Sequence, residues 1–312
     1  MGSSEIDGAA IRVEGLHKNY GEVEAVRGVS FRVDPGECFA LLGPNGAGKT
    51  TIVEILEGYR RRTSGQVEVL GFDPEQGAIA FRERIGIVLQ QAGIDRELSV
   101  AETLDLYGRM YPRQRNIDQV LEMVGLAEKR KARIKTLSGG QHRRLDLALV
   151  LIGDPDLLFL DEPTTGFDPS ARRKSWELID GLRSLGKTIL LTTHYMDEAQ
   201  HLADRVAVIV QGAFVAEGPP SSIAGRQAGE AVISFRLGAA PTNLPPGLPP
   251  AESRDGMVVL RTNDAPRVLH DLTGWALEQG EDLAGLTVSR ESLEDVYLRL
   301  TDNSASEETE AE

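Results

Sequence analysis

Cysteine is almost missing from this 312-residue chain: Cys38 stands alone, so no internal disulfide can form. It lies in the apolar run CFALL, where a thiol reads as a small buried residue rather than a reactive one. A long apolar run is missing as well. The longest uncharged one, near Leu147 to Gly153, falls far short of the roughly 18 residues that cross a bilayer. No signal-peptide pattern opens the chain, and MGSSEI has Ile6 where myristoylation wants a hydroxyl residue, so no lipid anchor is expected. Direct membrane insertion is therefore not expected, and any membrane role has to be borrowed from another polypeptide. Positive charge is in deficit: the net charge of −14 opposes binding to nucleic-acid phosphates and to anionic lipid. Internal repeats and long heptad arrays are also absent.

What is present is a set of short polar segments at the ends of apolar ones. The first is Gly43-Pro44-Asn45-Gly46-Ala47-Gly48-Lys49-Thr50, followed by Thr51. It fits the pattern G-x-x-x-x-G-K-[ST]. In that pattern backbone N–H groups close around nucleotide phosphates, the lysine reaches the β- and γ-phosphates, and the hydroxyl binds Mg²⁺. Its context agrees: CFALL reads as a buried strand, and TTIVEILEG reads as a short helix whose positive end points at the anion. The competing reading is a glycine-rich turn between a strand and a helix.

The second segment is LSGGQ, Leu137 to Gln141, a glycine-rich cap for phosphates. The third is LLFLDEP, Leu157 to Pro163, in which four apolar residues form a buried strand and Asp161 emerges at its C-terminal end. Ligands of open α/β sheets bind there. A carboxylate at that point can hold Mg²⁺ directly or through water, and Glu162 beside it can address an attacking water. Taken alone, the pair could also be two solvated acids at a strand end.

With these motifs in order, residues 10 to 225 resemble the nucleotide-binding subunit of an ATP-binding-cassette (ABC) transporter. GPNGAGKT matches the Walker A loop, Gln90 the Q-loop, LSGGQ the signature, and LLFLDE Walker B. Thr165-Gly166-Phe167-Asp168 matches the D-loop, and His194 the switch histidine. Tyr20 sits where the family places an aromatic ring against adenine, although a tyrosine in Asn19-Tyr20-Gly21 equally suits a turn packed on the core.

The resemblance implies a P-loop NTPase fold of the α/β class: an ABC cassette with a RecA-like core, an antiparallel β subdomain and a helical signature subdomain. It implies ATP and Mg²⁺ as ligands. Lys49, Thr50 and Asp161 would neutralise the phosphates through Mg²⁺, with Gln90 also near the metal. Glu162 would orient the attacking water, and His194 would hold the γ-phosphate and Glu162. Ser138, Gly139, Gly140 and Gln141 would act on the ATP of a second cassette, most simply another copy of this chain, with Asp168 at the same junction. Phe167 departs from the usual leucine, from which altered dimer packing is expected. A free glutamate has a pKa near 4.3, so orientation is expected to outweigh proton abstraction unless burial raises it.

Strands are expected at IRVEGLHKNY and VRGVSFRVDPGE as an antiparallel layer, and at CFALL, RIGIVLQ, LLFL and TILLTTH as parallel core strands. Residues 92–150 read as the helical subdomain. Ser99 to Glu102 form a capping box opening a helix through Leu106 and Met110, and Ile117 to Val124 form another helix. Beyond residue 225 the pattern changes. Residues 226–301 read as a small C-terminal α+β domain with a Pro-rich stretch, and residues 302–312 as a disordered acidic tail.

The resemblance points to an exporter of the daunorubicin-resistance type, with drug, antibiotic, lipid or polysaccharide cargo. It would act at the cytoplasmic face of the membrane through a separate integral membrane permease. The candidate docking segment for that permease is Ala92 to Leu98. The alternative is a soluble, non-transport ABC ATPase acting on a cytoplasmic partner.

Overall fold

The computed structural model describes residues 8–88, 95–223, 231–237, 244–245, 247–254 and 257–290. Contacts divide the chain into two units that meet in sequence between Gly218 and Pro219.

The first unit opens with β1 (Ile11–Tyr20) and β2 (Val23–Val33), paired antiparallel as a hairpin. A third strand, β4 (Ser64–Val69), joins the other edge of β1. Sequence reading missed β4, because only Val67 and Val69 of SGQVEV turn inward and its partner lies far back in the chain.

The core is a six-stranded sheet. Its strands are β3 (Cys38–Leu42), β5 (Ile85–Val88), β6 (Leu157–Asp161), β7 (Thr188–Thr193), β8 (Arg205–Val210) and β9 (Ala213–Gly218), in the order β5-β6-β7-β3-β8-β9. All are parallel except β9, which runs antiparallel to β8. Every residue of β3 and β7 is buried, as befits parallel strands covered on both faces: CFALL is apolar throughout, and β7 carries the apolar stretch Ile189 to Leu191 between buried threonines. Phe31 of β2 stacks on Phe39 of β3 with ring centroids 5.3 Å apart, tying the antiparallel layer to the core. Burial pushes the Cys38 thiol up to about 12, with Asp204 adding to the effect, so it stays protonated and inert.

Helices α1 (Lys49–Leu56) and α2 (Ile79–Arg82) belong to the core. The helical region follows with α3 (Val100–Gly108), α4 (Ile117–Met123) and α5 (Gly139–Leu151). Ser99 and Glu102 cap α3 reciprocally. That helix stops at Gly108, short of the expected Met110, and Met110 is exposed beyond it. Helices α6 (Pro169–Ser184) and α7 (Met196–Leu202) follow β6 and β7. Among the described residues no helix is long and apolar enough to cross a membrane.

The second unit holds α8 (Pro220–Ile223) and a four-stranded antiparallel sheet. Its strands are β10 (Ala231–Arg236), β11 (Ala251–Arg254), β12 (Met257–Thr262) and β13 (Ala284–Arg290), in the order β11-β12-β10-β13. Helix α9 (Ala265–Gln279), capped by Asp264 and ended by Gly280 at φ +69°, packs Val268 and Leu272 against Ile233, Phe235, Val258 and Leu260. Residues 291–312, which include the acidic tail, lie outside the described residues.

Candidate active site

The sheet order decides the site. Because β3, β6 and β7 are parallel neighbours, their C-terminal ends coincide: Leu42 pairs with Thr193, and Asp161 with Thr192. The residues that follow each strand, Gly43, Glu162 and His194, therefore emerge together.

Gly48, at φ +103°, is the N-cap of α1, and a Cβ there would lie 2.5 Å from the Ala25 carbonyl oxygen. Only glycine lets the loop turn into α1 at this point. The Lys49 side chain is 4% exposed, and its Nζ donates to the carbonyl oxygens of Gly43 at 2.7 Å and Pro44 at 3.1 Å. Burial lowers the Lys49 pKa, with the nearby Glu162 and Asp161 carboxylates pulling the other way. Asn45, Gly46, Gly48, Lys49, Thr50, Thr51, Asp161, Glu162 and Ala25 line one cleft of about 380 Å³. Ala47 is buried beneath it, and its carbonyl accepts from the Gly212 N–H at 3.0 Å.

Asp161 and Glu162 share one clasp, Thr192. Its hydroxyl donates to Asp161 Oδ1 and accepts from the Glu162 N–H at 3.0 Å. The Glu162 backbone is left-handed, at φ +46°, a conformation that costs energy for a side-chain-bearing residue and clusters at functional sites. One carboxylate oxygen, Oε1, lies 3.6 Å from Lys49 Nζ and 3.2 Å from His194 Nδ1, the latter pair close but not aligned as a hydrogen bond. The other, Oε2, accepts from the Thr165 hydroxyl at 3.0 Å. Burial alone would raise the Glu162 pKa, but Thr165, His194 and Lys49 outweigh it and leave the group below the ordinary range. The His194 ring packs on Tyr195, 4.1 Å between centroids, and Tyr195 in turn lies under the Arg172 guanidinium.

A family model described as "ABC transporter" matches residues 26–165, and one described as "ABC transporter domain-containing protein-like, C-terminal domain" matches residues 231–292. The chain is 41% identical to the Nod factor export ATP-binding protein I of Paraburkholderia xenovorans (strain LB400), over 94% of this chain and 97% of that protein. The chain belongs to the ABC transporter family. It is also 37% identical to the daunorubicin resistance ATP-binding protein DrrA3 of Streptomyces coeruleorubidus, over 94% of this chain and 96% of the other. Among solved structures, cbiO1 from Clostridium perfringens, part of the ABC transporter complex cbiONQ, matches with TM-score 0.64 at 28% identity, covering 71% of this chain and 92% of that one. The cassette is accordingly an ATPase.

Not every expected site residue of the cassette lies in that cleft. Ser138 is the N-cap of α5 in a reciprocal capping box: its N–H donates to Gln141 Oε1 at 2.9 Å, and its hydroxyl accepts from the Gln141 N–H at 3.4 Å. Gly139 and Gly140 follow, exposed, with open space beside them. Asp168 is the N-cap of α6, with Oδ1 accepting from Ser170 N–H at 2.8 Å and Ala171 N–H at 2.9 Å. Tyr20, 41% exposed at the end of β1, keeps Lys18 Nζ 4.9 Å and Arg60 Cζ 5.3 Å from its ring centre, which brings cations rather than core side chains to the ring. Gln90 and the stretch 92–94 lie outside the described residues. Motif reading passed over Thr192, which touches both Asp161 and Glu162, and named Thr165 only within the D-loop, not as a partner of the Glu162 carboxylate. The sequence signal for them is slight: a hydroxyl near the end of a buried strand, and another three residues past Glu162.

Proposed function

We propose that this chain is the ATP-hydrolysing half of an exporter's paired motor, working with a second copy of itself and a separate membrane permease at the cytoplasmic face of the membrane. The observation that carries this reading is the convergence of Lys49, Asp161, Glu162 and His194 at the ends of three adjacent strands. The names of the two relatives, one a Nod factor exporter component and one a daunorubicin-resistance component, support export of a drug, antibiotic, lipid or polysaccharide cargo.

Phosphoryl transfer is mostly positioning and charge neutralisation. Lys49 and the N–H groups of the loop from Gly46 to Thr51 receive the phosphates at the positive end of α1. The donors present suit Mg²⁺: Thr50 Oγ1 and Asp161 Oδ2 stand 3.5 Å apart, both are hard oxygens, and among the described residues no group of three or more metal-binding side chains forms a closed cage. Such a set fits an ion that keeps waters and shares the phosphates; when bound, Mg²⁺ supplies charge neutralisation between them. Glu162, held below its ordinary pKa, is better suited to orient the attacking water than to take its proton at neutral pH. His194 stands against the same carboxylate oxygen and is in line to report on the γ-phosphate.

Gly139 and Gly140, exposed residues, open the 13-residue α5 behind the Ser138 cap, the arrangement an anion wants. In a head-to-tail pair they would cap the other copy's ATP. Coupling has a physical route as well. The Ile134 N–H donates to Leu98 O at 3.0 Å and the Lys135 N–H to Arg96 O at 3.1 Å, while Glu97 pairs with Arg133 and Lys135. A permease loop pressing on Asp95 to Leu98 would thereby move the segment that leads into Leu137 and α5.

The test is to purify tagged Glu162→Gln from native membranes with ATP and Mg²⁺ and identify the chains that come with it. A polytopic membrane protein at matching stoichiometry is the expected result. Soluble partners alone would overturn the transporter reading in favour of a non-transport ATPase.

A further inference from the structure

Glu198 is fully buried, yet the hydrolytic scheme does not use it. It is the third residue of α7, the helix that begins two residues after His194. Its Oε1 accepts from two side chains on two other segments. The Thr164 hydroxyl donates at 2.7 Å from the loop after β6, and the Trp176 Nε1–H donates at 3.1 Å from α6. Thr164 is itself fully buried. One carboxylate oxygen therefore joins the loop that carries Glu162 and Thr165, the helix capped by Asp168, and the helix behind His194.

The other oxygen, Oε2, is buried without a hydrogen-bond partner. Leaving such an atom unsatisfied costs stability, whereas an apolar side chain of similar volume would carry no such cost. A residue selected for packing alone is poorly explained by this arrangement. A residue that sets a distance is well explained.

We propose that Glu198 is a positioning residue that sets the spacing between Glu162 and His194. The strained Glu162 backbone sits two residues before Thr164, and the Thr165 hydroxyl beside it holds the Glu162 carboxylate. Latching Thr164 to α7 gives the loop and the histidine a common anchor. Without the latch both halves remain folded, but the 3.2 Å approach of His194 to Glu162 loses its support. The inference rests on the proposed hydrolytic roles of those two residues.

Steady-state ATP hydrolysis by the full chain tests it with Glu198→Leu, Glu198→Gln, Thr164→Val and the native protein side by side. Glu198→Leu fills the same space without an acceptor and is expected to melt no lower than native, with kcat about 10- to 100-fold down and KM for ATP within about 3-fold, the size of effect a displaced catalytic group has. Glu198→Gln retains an acceptor oxygen for Thr164 and Trp176 and is expected to restore kcat to within about 3-fold. Thr164→Val, which removes one donor, should reproduce the kcat loss and add little to it in the Glu198→Leu background, and it stands in if Glu198→Leu fails to fold. Native kcat in Glu198→Leu, or in Thr164→Val, would overturn the latch. Equal losses in Glu198→Gln and Glu198→Leu would overturn it too. A native chain without ATPase activity, or one in which Glu162→Gln turns over normally, would instead remove the hydrolytic reading beneath it.

Discussion

Lys49 and Glu162 face each other across the mouth of the phosphate loop, Nζ 3.6 Å from Oε1. The lysine is buried and its charge is balanced by a carboxylate just past β6, which lies two strands from β3 in the sheet. Arriving phosphates compete with that carboxylate for the ammonium. Glu162→Gln removes the competitor and leaves the shape of the site intact. ATP is expected to bind at least as tightly as to the native chain, by titration calorimetry, while phosphate release slows at least about a hundredfold, as when a catalytic base is lost. Weakened binding would mean that Glu162 holds the loop open rather than guarding it.

The residues of that pair were legible in sequence for a physical reason. A strand buried on both faces reads as an apolar run, so the polar residues at its end are conspicuous: Asp161 and Glu162 come straight after LLFL, and His194 closes TILLTTH, while Lys49 is marked instead by the glycine-rich loop that follows CFALL. The residues that hold them in place were not legible. Thr192 meets Glu162 across 30 positions and Thr164 meets Glu198 across 34, and no local pattern marks a buried acid or hydroxyl whose partner is tertiary. Strands β4 and β11 escaped for a related reason: both are short, mostly polar outside, and defined by the strand beside them. Asp168, aligned by resemblance with a nucleotide-facing loop, spends one carboxylate oxygen on its own helix, a local role that the Asp-Pro-Ser-Ala stretch could have announced.

The signature glycines separate folding from function cleanly. Gly140 lies in the first turn of α5, where a Cβ would meet nothing within 4 Å. Alanine there carries a better helix propensity, by up to about 1 kcal/mol, so Gly140→Ala is expected to melt at or slightly above the native temperature. Its ATPase rate should nonetheless fall, and ATP should no longer drive Glu162→Gln into dimers, as followed by light scattering after gel filtration. Gly48→Ala is the contrasting case. With φ at +103° and the Ala25 carbonyl 2.5 Å from the added Cβ, it should lose stability and ATP binding together. Unchanged dimerisation in Gly140→Ala would leave the LSGGQ glycines as no more than a helix start.

Glu57, which follows α1, carries a pKa raised from 4.5 to about 8, chiefly by burial and further by the Asp161 and Glu54 carboxylates. Tyr59, Arg82 and Tyr111 share its groove. Because the folded chain holds this proton and the unfolded chain does not between those two values, unfolding releases a proton across that window. Stability from this group is therefore highest below pH 4.5, declines as pH rises towards 8, and levels off above. Glu57→Gln mimics the protonated form and removes the decline. Thermal melts from pH 5.5 to 8.5 should show the variant gaining on the native chain as pH rises, with the largest difference at the alkaline end. Other acids contribute equally to both proteins and cancel in the difference. A native-minus-variant gap that stays constant over the range would show that Glu57 is already ionised in the folded chain, and that the groove beside Tyr59 is wetter than its walls suggest.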